Sequence, residues 1–141
     1  MRWVLHHTMN QSNVWTMNEP DAQAELKYNK EGHSFRLNAG GKRLFFLERK
    51  GLFQNRMLLK TEYNVVVGET NFTRNGQAGQ LVIDGEKFNF TIEGNELHLF
   101  NKDHNLVDIT TINELSQLDM YEFSALLFGL GRISHHQPVF A

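Results

Sequence analysis

The chain has 141 residues, a net charge of −2, 40% hydrophobic residues and no cysteine. That is the length of one domain with a core of its own. It excludes a disulfide framework, a thiolate metal site and a cysteine nucleophile.

The first residues, Met1-Arg-Trp-Val-Leu-His-His7, hold too short an apolar run for a signal peptide, so the expected location is the cytoplasm. Asn71-Phe-Thr and Asn89-Phe-Thr match the glycosylation pattern, which carries no meaning without secretion. No linker or low-complexity tract breaks the chain, which reads as a single domain over 1–141. The pattern is strand, turn, strand. Arg2 to Thr8 and Val14 to Met17 are the first strands, and Asn18-Glu-Pro-Asp21 is a turn. Ala24 to Tyr28 and Ser34 to Asn38 flank the hairpin signal Asn29-Lys-Glu-Gly32. Ala39-Gly-Gly-Lys42 leads into Arg43 to Arg49, and Lys50-Gly51 into Phe53 to Lys60. Tyr63, Val65 and Val67 alternate on one face of a strand from Tyr63 to Gly68, with Thr70 to Thr73 continuing it.

The clearest quarter follows. Leu81-Val-Ile83, the turn Asp84-Gly85 and Lys87 to Glu93 form a hairpin in which Phe88, Phe90 and Ile92 share one face. Gly94-Asn95 turns into Glu96 to Phe100, and Lys102-Asp-His-Asn105 into Leu106 to Ile112. Pro138-Val-Phe140 reads as a last short strand, giving about eleven or twelve in all.

One segment breaks the pattern. Around 117–131 the chain reads as a helix, with Ser116 and Asp119 as a capping signal and Gly131 as its stop. Its apolar side chains, Leu118, Phe123, Leu126, Leu127, Phe128 and Leu130, wrap most of the circumference, so it must be surrounded. A bilayer needs about 20 apolar residues, and Asp119, Glu122 and Arg132 bound a shorter run. A dozen short antiparallel strands avoid exposed edges by closing, and their lumen is too wide for strand side chains alone to fill. The expected fold is therefore mainly β: a closed antiparallel barrel of about twelve strands enclosing the hydrophobic C-terminal helix.

The order of elements resembles the tubby C-terminal-like group, which includes the phospholipid scramblases and the plant LURP-one-related proteins. The likeness lies in strand pairs about a small-residue turn, Phe35 to Lys50 and then Met57 to Glu69. A third echo runs from Leu97 to Ile109, before the apolar helix Tyr121 to Leu130. It covers residue 33 to the end. The resemblance implies a twelve-strand barrel around a central helix and a non-enzymatic binding role; tubby-like proteins bind phosphoinositides through basic side chains. No stretch of this sequence matches the cysteine- or proline-rich arm of scramblases, and Asn101-Lys-Asp-His-Asn105 is too poor in acids for their metal loop.

Charge supplies the candidate site. Arg36, Lys42, Arg43, Arg49, Lys50, Arg56 and Lys60 face one acid, Glu48, so this segment carries +6 and the rest of the chain −8. Three consecutive strands bearing these cations can present one outer surface to an anionic phospholipid or phosphoinositide membrane or to an acidic protein. Leu52 and Phe53, at the turn beside them, are placed to dip into an interface. The plain alternative is a solvated barrel face with edge-protecting lysines. Phe45, Phe46 and Phe53 lie in apolar runs and read as core rather than as base-stacking platforms, which argues against nucleic acid. A β-barrel carrier of a small apolar ligand, with the helix as a lid over an empty lumen, is the alternative function. No nucleophile elbow, phosphate loop or metal-protease spacing is present, so no catalytic residue, metal or cofactor is expected. The adjacent pairs His6-His7 and His135-His136 each offer one ligand to a given face, and His98 and His104 flank a turn.

Overall fold

The computed structural model describes residues 1–9, 11–19, 22–53 and 55–135. The strands are β1 (Arg2–Met9), β2 (Ser12–Glu19), β3 (Ala22–Asn29), β4 (Ser34–Asn38), β5 (Lys42–Lys50) and β6 (Arg56–Thr61). They continue as β7 (Val66–Phe72), β8 (Ala78–Ile83), β9 (Glu86–Glu93), β10 (Glu96–Asn101) and β11 (Leu106–Ile112). A single 3-10 turn, Leu115–Gln117, precedes helix α1 (Met120–His135).

These eleven strands form a closed barrel in which each pairs with its sequence neighbours and β1 meets β11. All neighbouring pairs are antiparallel except β1 and β11, which run parallel through two residue pairs, Arg2 with Thr111 and Trp3 with Ile112. An odd number of alternating strands has to close in this way. The twelfth strand expected at Pro138 to Phe140 lies outside the described residues.

Alternation sets the two faces. Phe88 and Phe90 are buried, and Ile92 packs on the same core, as their period of two requires. The β8–β9 turn has Asp84 at φ 49° and Gly85 at φ 85°, the mirror-image turn that matches strand twist. The expected strand from Tyr63 begins later, at Val66. Asn64 adopts φ 64°, so Tyr63 and Val65 belong to an exposed turn.

Helix α1 fills the lumen. Every residue from Glu122 to Gly131 is buried, and Ala125, Leu126, Leu127, Phe128 and Leu130 have no exposed surface. They join one core with Trp3, Trp15, Leu26, Phe35, Phe45, Leu59, Leu81, Phe90 and Leu99. Each large side chain so buried contributes about 1.5–3 kcal/mol. The cap is Asp119, whose Oδ1 accepts the Glu122 N–H at 2.8 Å; Ser116 ends up in the preceding 3-10 turn. Gly131 does not stop the helix. A methyl group there would lie 2.8 Å from Leu81 Cδ2, and one on Gly129 3.2 Å from both Leu26 Cδ1 and Trp3 Cζ2. Both glycines let the helix approach the wall. At its far end Arg132 pairs with Asp84 at 3.0 Å and sits over the Phe45 ring.

Candidate functional site: a basic face and an apolar tip

Register distributes the seven basic residues. Arg36 lies opposite Leu44, Lys50 opposite Arg56, and Lys60 opposite Phe46, all with outward parity, as is Lys42. Arg43 and Arg49 share the inner parity of Phe45 and Leu47, yet stand at the two ends of β5 and reach the rims. Arg43 lies over the Phe45 ring at 5.3 Å, and Arg49 over Tyr121 at 6.0 Å. From Lys42 to Lys50 the strand rises roughly 26 Å at about 3.3 Å per residue. The seven thus span the barrel's height and do not meet in one hollow.

Part of the charge is also neutralised. Glu48 takes Lys50 at 3.3 Å and Lys60 on its other oxygen, and hydrogen bonds from both hold its carboxyl below the ordinary range. Arg56 donates to Glu69 at 2.7 Å, which raises the guanidinium's pKa. Arg36 makes no ion pair among the described residues. It instead faces Lys27 on β3, a like-charge pair directly across strands, which costs stability wherever no anion bridges it. Lys27 was outside the basic segment in sequence; only the β3–β4 register, readable from the Asn29–Gly32 turn, brings it in.

The most unusual surface is the turn between β5 and β6. Gly51 has φ 98°, which any side chain would strain, and the chain then projects Leu52 and Phe53 at 91% and 82% exposure. Lys50 and Arg56 flank this tip, facing each other across the hairpin, and Arg49 stands beside them on the inner parity. Isolated exposed apolar residues are ordinary; two adjacent large ones on a projecting cationic turn are not.

A second cluster lies under the same end of the barrel, where α1 enters. Glu122 is only 5% exposed, and its Oε2 accepts Asn13 Nδ2 at 2.8 Å and Trp15 Nε1 at 2.7 Å. Tyr28 is buried nearby with no partner for its hydroxyl among the described residues. Burial first, then the charges of Asp119 and Glu122, push that phenol far above its usual value. His33 stacks on Tyr121 with ring centroids 3.8 Å apart. In the sequence Glu122 reads only as a charge that bounds the apolar run, and its strand partners cannot be seen there. Their signal is distant in sequence: Asn13 and Trp15 are alternate residues of one strand.

His98 lies between Glu93 and Glu96 at 3.7 and 3.4 Å on the surface. Among the described residues no three His, Asp or Glu side chains group as metal ligands. No helix among them is long and apolar enough to cross a membrane. No family model, curated protein or solved structure matches the chain.

Proposed function

We propose that this barrel is a non-enzymatic binding module that docks on an anionic phospholipid surface, in the cytoplasm and at the membrane periphery. The observation that carries the reading is the Leu52–Phe53 tip held between Lys50 and Arg56. Transfer of the two side chains out of water contributes about 1.5–3 kcal/mol each, and each cation near an anionic leaflet about 1 kcal/mol, less at Lys50 and Arg56 to the extent that Glu48 and Glu69 hold them. Together these suffice for reversible recruitment without a spanning segment. The resemblance in pattern to tubby-like proteins favours phosphoinositides among anionic lipids. An acidic protein would need an apolar pocket beside its carboxylates to take Leu52 and Phe53, whereas a bilayer accepts them without one. The carrier reading requires a hollow lumen, and α1 takes that space.

Flotation with neutral vesicles and with vesicles containing phosphoinositide, at low and moderate salt, tests the proposal. Recruitment only to the anionic vesicles, weakened by salt and lost in Leu52→Asp/Phe53→Asp, is expected. No recruitment at either salt, or recruitment indifferent to the tip, rejects it.

A further inference from the structure

Beyond the lipid-facing tip, the entry end of the barrel holds a pocket of about 270 Å³ between the β7–β8 loop, the β9–β10 turn and the start of α1. Its walls are Phe72, Ile92, Leu115, Leu118, Met120 and Phe123. Three polar side chains, Gln77, Ser116 and Asp119, complete the lining, and Asp119 is the one formal charge in it.

We propose that this pocket binds a short aliphatic chain ending in a primary ammonium group. The volume equals roughly nine waters at about 30 Å³ each, space for a chain of about eight carbons of similar size. Apolar walls with a few polar groups are the usual make-up of a small-molecule site. The polar groups select the head. Asp119 spends Oδ1 on the Glu122 N–H and its carbonyl on the Phe123 N–H at 3.0 Å, and its Oδ2 has no partner among the described residues. The Gln77 and Ser116 side chains also make no hydrogen bond to a described residue, although Gln77 is fixed through its backbone, which bonds Asn75 and Ile92. These acceptors, one of them anionic, lie exposed at the mouth of the pocket, where an alkylammonium can exchange water for them while its chain enters the apolar part. A carboxylate or phosphate head is repelled by Asp119, against the weaker pull of the α1 N-terminus and of the Gln77 and Ser116 donors.

The test titrates the protein with octylamine, octanol, trimethyloctylammonium and octanoate, each below its aggregation limit, and follows side-chain methyl NMR signals. Saturable shifts confined to Ile92, Leu115, Leu118 and Met120 are expected. Octylamine should bind about five-fold tighter than octanol or the trimethylated analogue, and octanoate weakest. Asp119→Asn, which keeps a helix cap, should bring octylamine level with octanol. Two space-filling variants, Ile92→Trp in the wall and Gln77→Trp on the exposed loop, should each weaken octylamine at least about ten-fold, with circular dichroism reporting that the fold is kept. Shifts outside this pocket, octanoate binding as tightly as octylamine, or full binding by a folded Gln77→Trp variant would overturn the proposal.

Discussion

Glu122 gives the sharpest test of how the helix is held in the barrel. Replacing it with Leu removes the acceptor for Asn13 Nδ2 and Trp15 Nε1, both deep enough that water cannot substitute. A hydrogen bond to a charged acceptor is worth about 1.5–3 kcal/mol, and an abandoned buried donor adds its desolvation cost. Allowing for the apolar surface that Leu gains, the net loss is about 3–5 kcal/mol, a large share of a stability of about 5–15 kcal/mol. Glu122→Gln keeps one acceptor oxygen and loses only the charge, so it costs about 1–2 kcal/mol. Urea unfolding followed by tryptophan fluorescence measures both. With a slope of about 1–3 kcal/mol/M, Glu122→Leu lowers the midpoint by roughly 2 M, and the slope stays unchanged. If Glu122→Leu falls within about 1 kcal/mol of the parent, or the Gln and Leu variants lose equal stability, the two-bond account of the helix anchor is wrong.

Gly131→Ala gains about 1 kcal/mol of helix propensity but forces a methyl against Leu81, an overpacking cost of about 1–3 kcal/mol. A lower thermal midpoint is expected, and a higher one would show that the wall yields. Tyr28 is held un-ionised in the fold, whereas the unfolded phenol titrates near its ordinary 10.0. Its contribution is complete below that value and declines as pH rises past it, so Tyr28→Phe should flatten the fall in stability between about pH 10 and 11.5; parallel curves would disprove it. Glu48 has the opposite sign. Its folded carboxyl titrates below the ordinary 4.5, so its contribution is present above that pH and disappears as pH falls through the folded value. Glu48→Gln should lose less stability than the parent on acidification, and equal losses would mean that the Lys50 and Lys60 contacts leave the carboxylate unaffected.

The architecture was legible because its signals are local. The alternation of Phe88, Phe90 and Ile92 and the unbroken apolarity of Phe123 to Leu130 dictate a half-buried strand and an enclosed helix. Three local signals misled. Phe46 and Phe53 lie in apolar runs that read as core, yet Phe46 takes the outward parity of β5 and Phe53 sits in the turn before β6, and both are exposed. Tyr63 and Val65 alternate as a strand does, but Asn64 in left-handed geometry makes them a turn. Gly131 resembles a helix stop, but the space beside Leu81, not backbone freedom, is what demands it. The candidate site was legible in composition and not in layout. Seven cations in one segment are visible at once, but which of them reach the rim, and which Glu48 and Glu69 hold, depends on pairing across strands. Lys27 opposite Arg36 and the two donors that meet at Glu122 are likewise products of register.

The parallel join between the first and last strands has a bearing on how the molecule is made. Synthesis delivers all eleven strands before residue 120, so the nascent sheet must stand open with its oily side bare until the helical segment emerges. Only then can the most sequence-distant pairing, Arg2 with Thr111, lock the cylinder around its filling. With only two residue pairs in register, flanked by hydrogen bonds from Thr111 to Met1 and from Asn113 to Trp3, that lock is the shortest seam in the barrel and the last to shut.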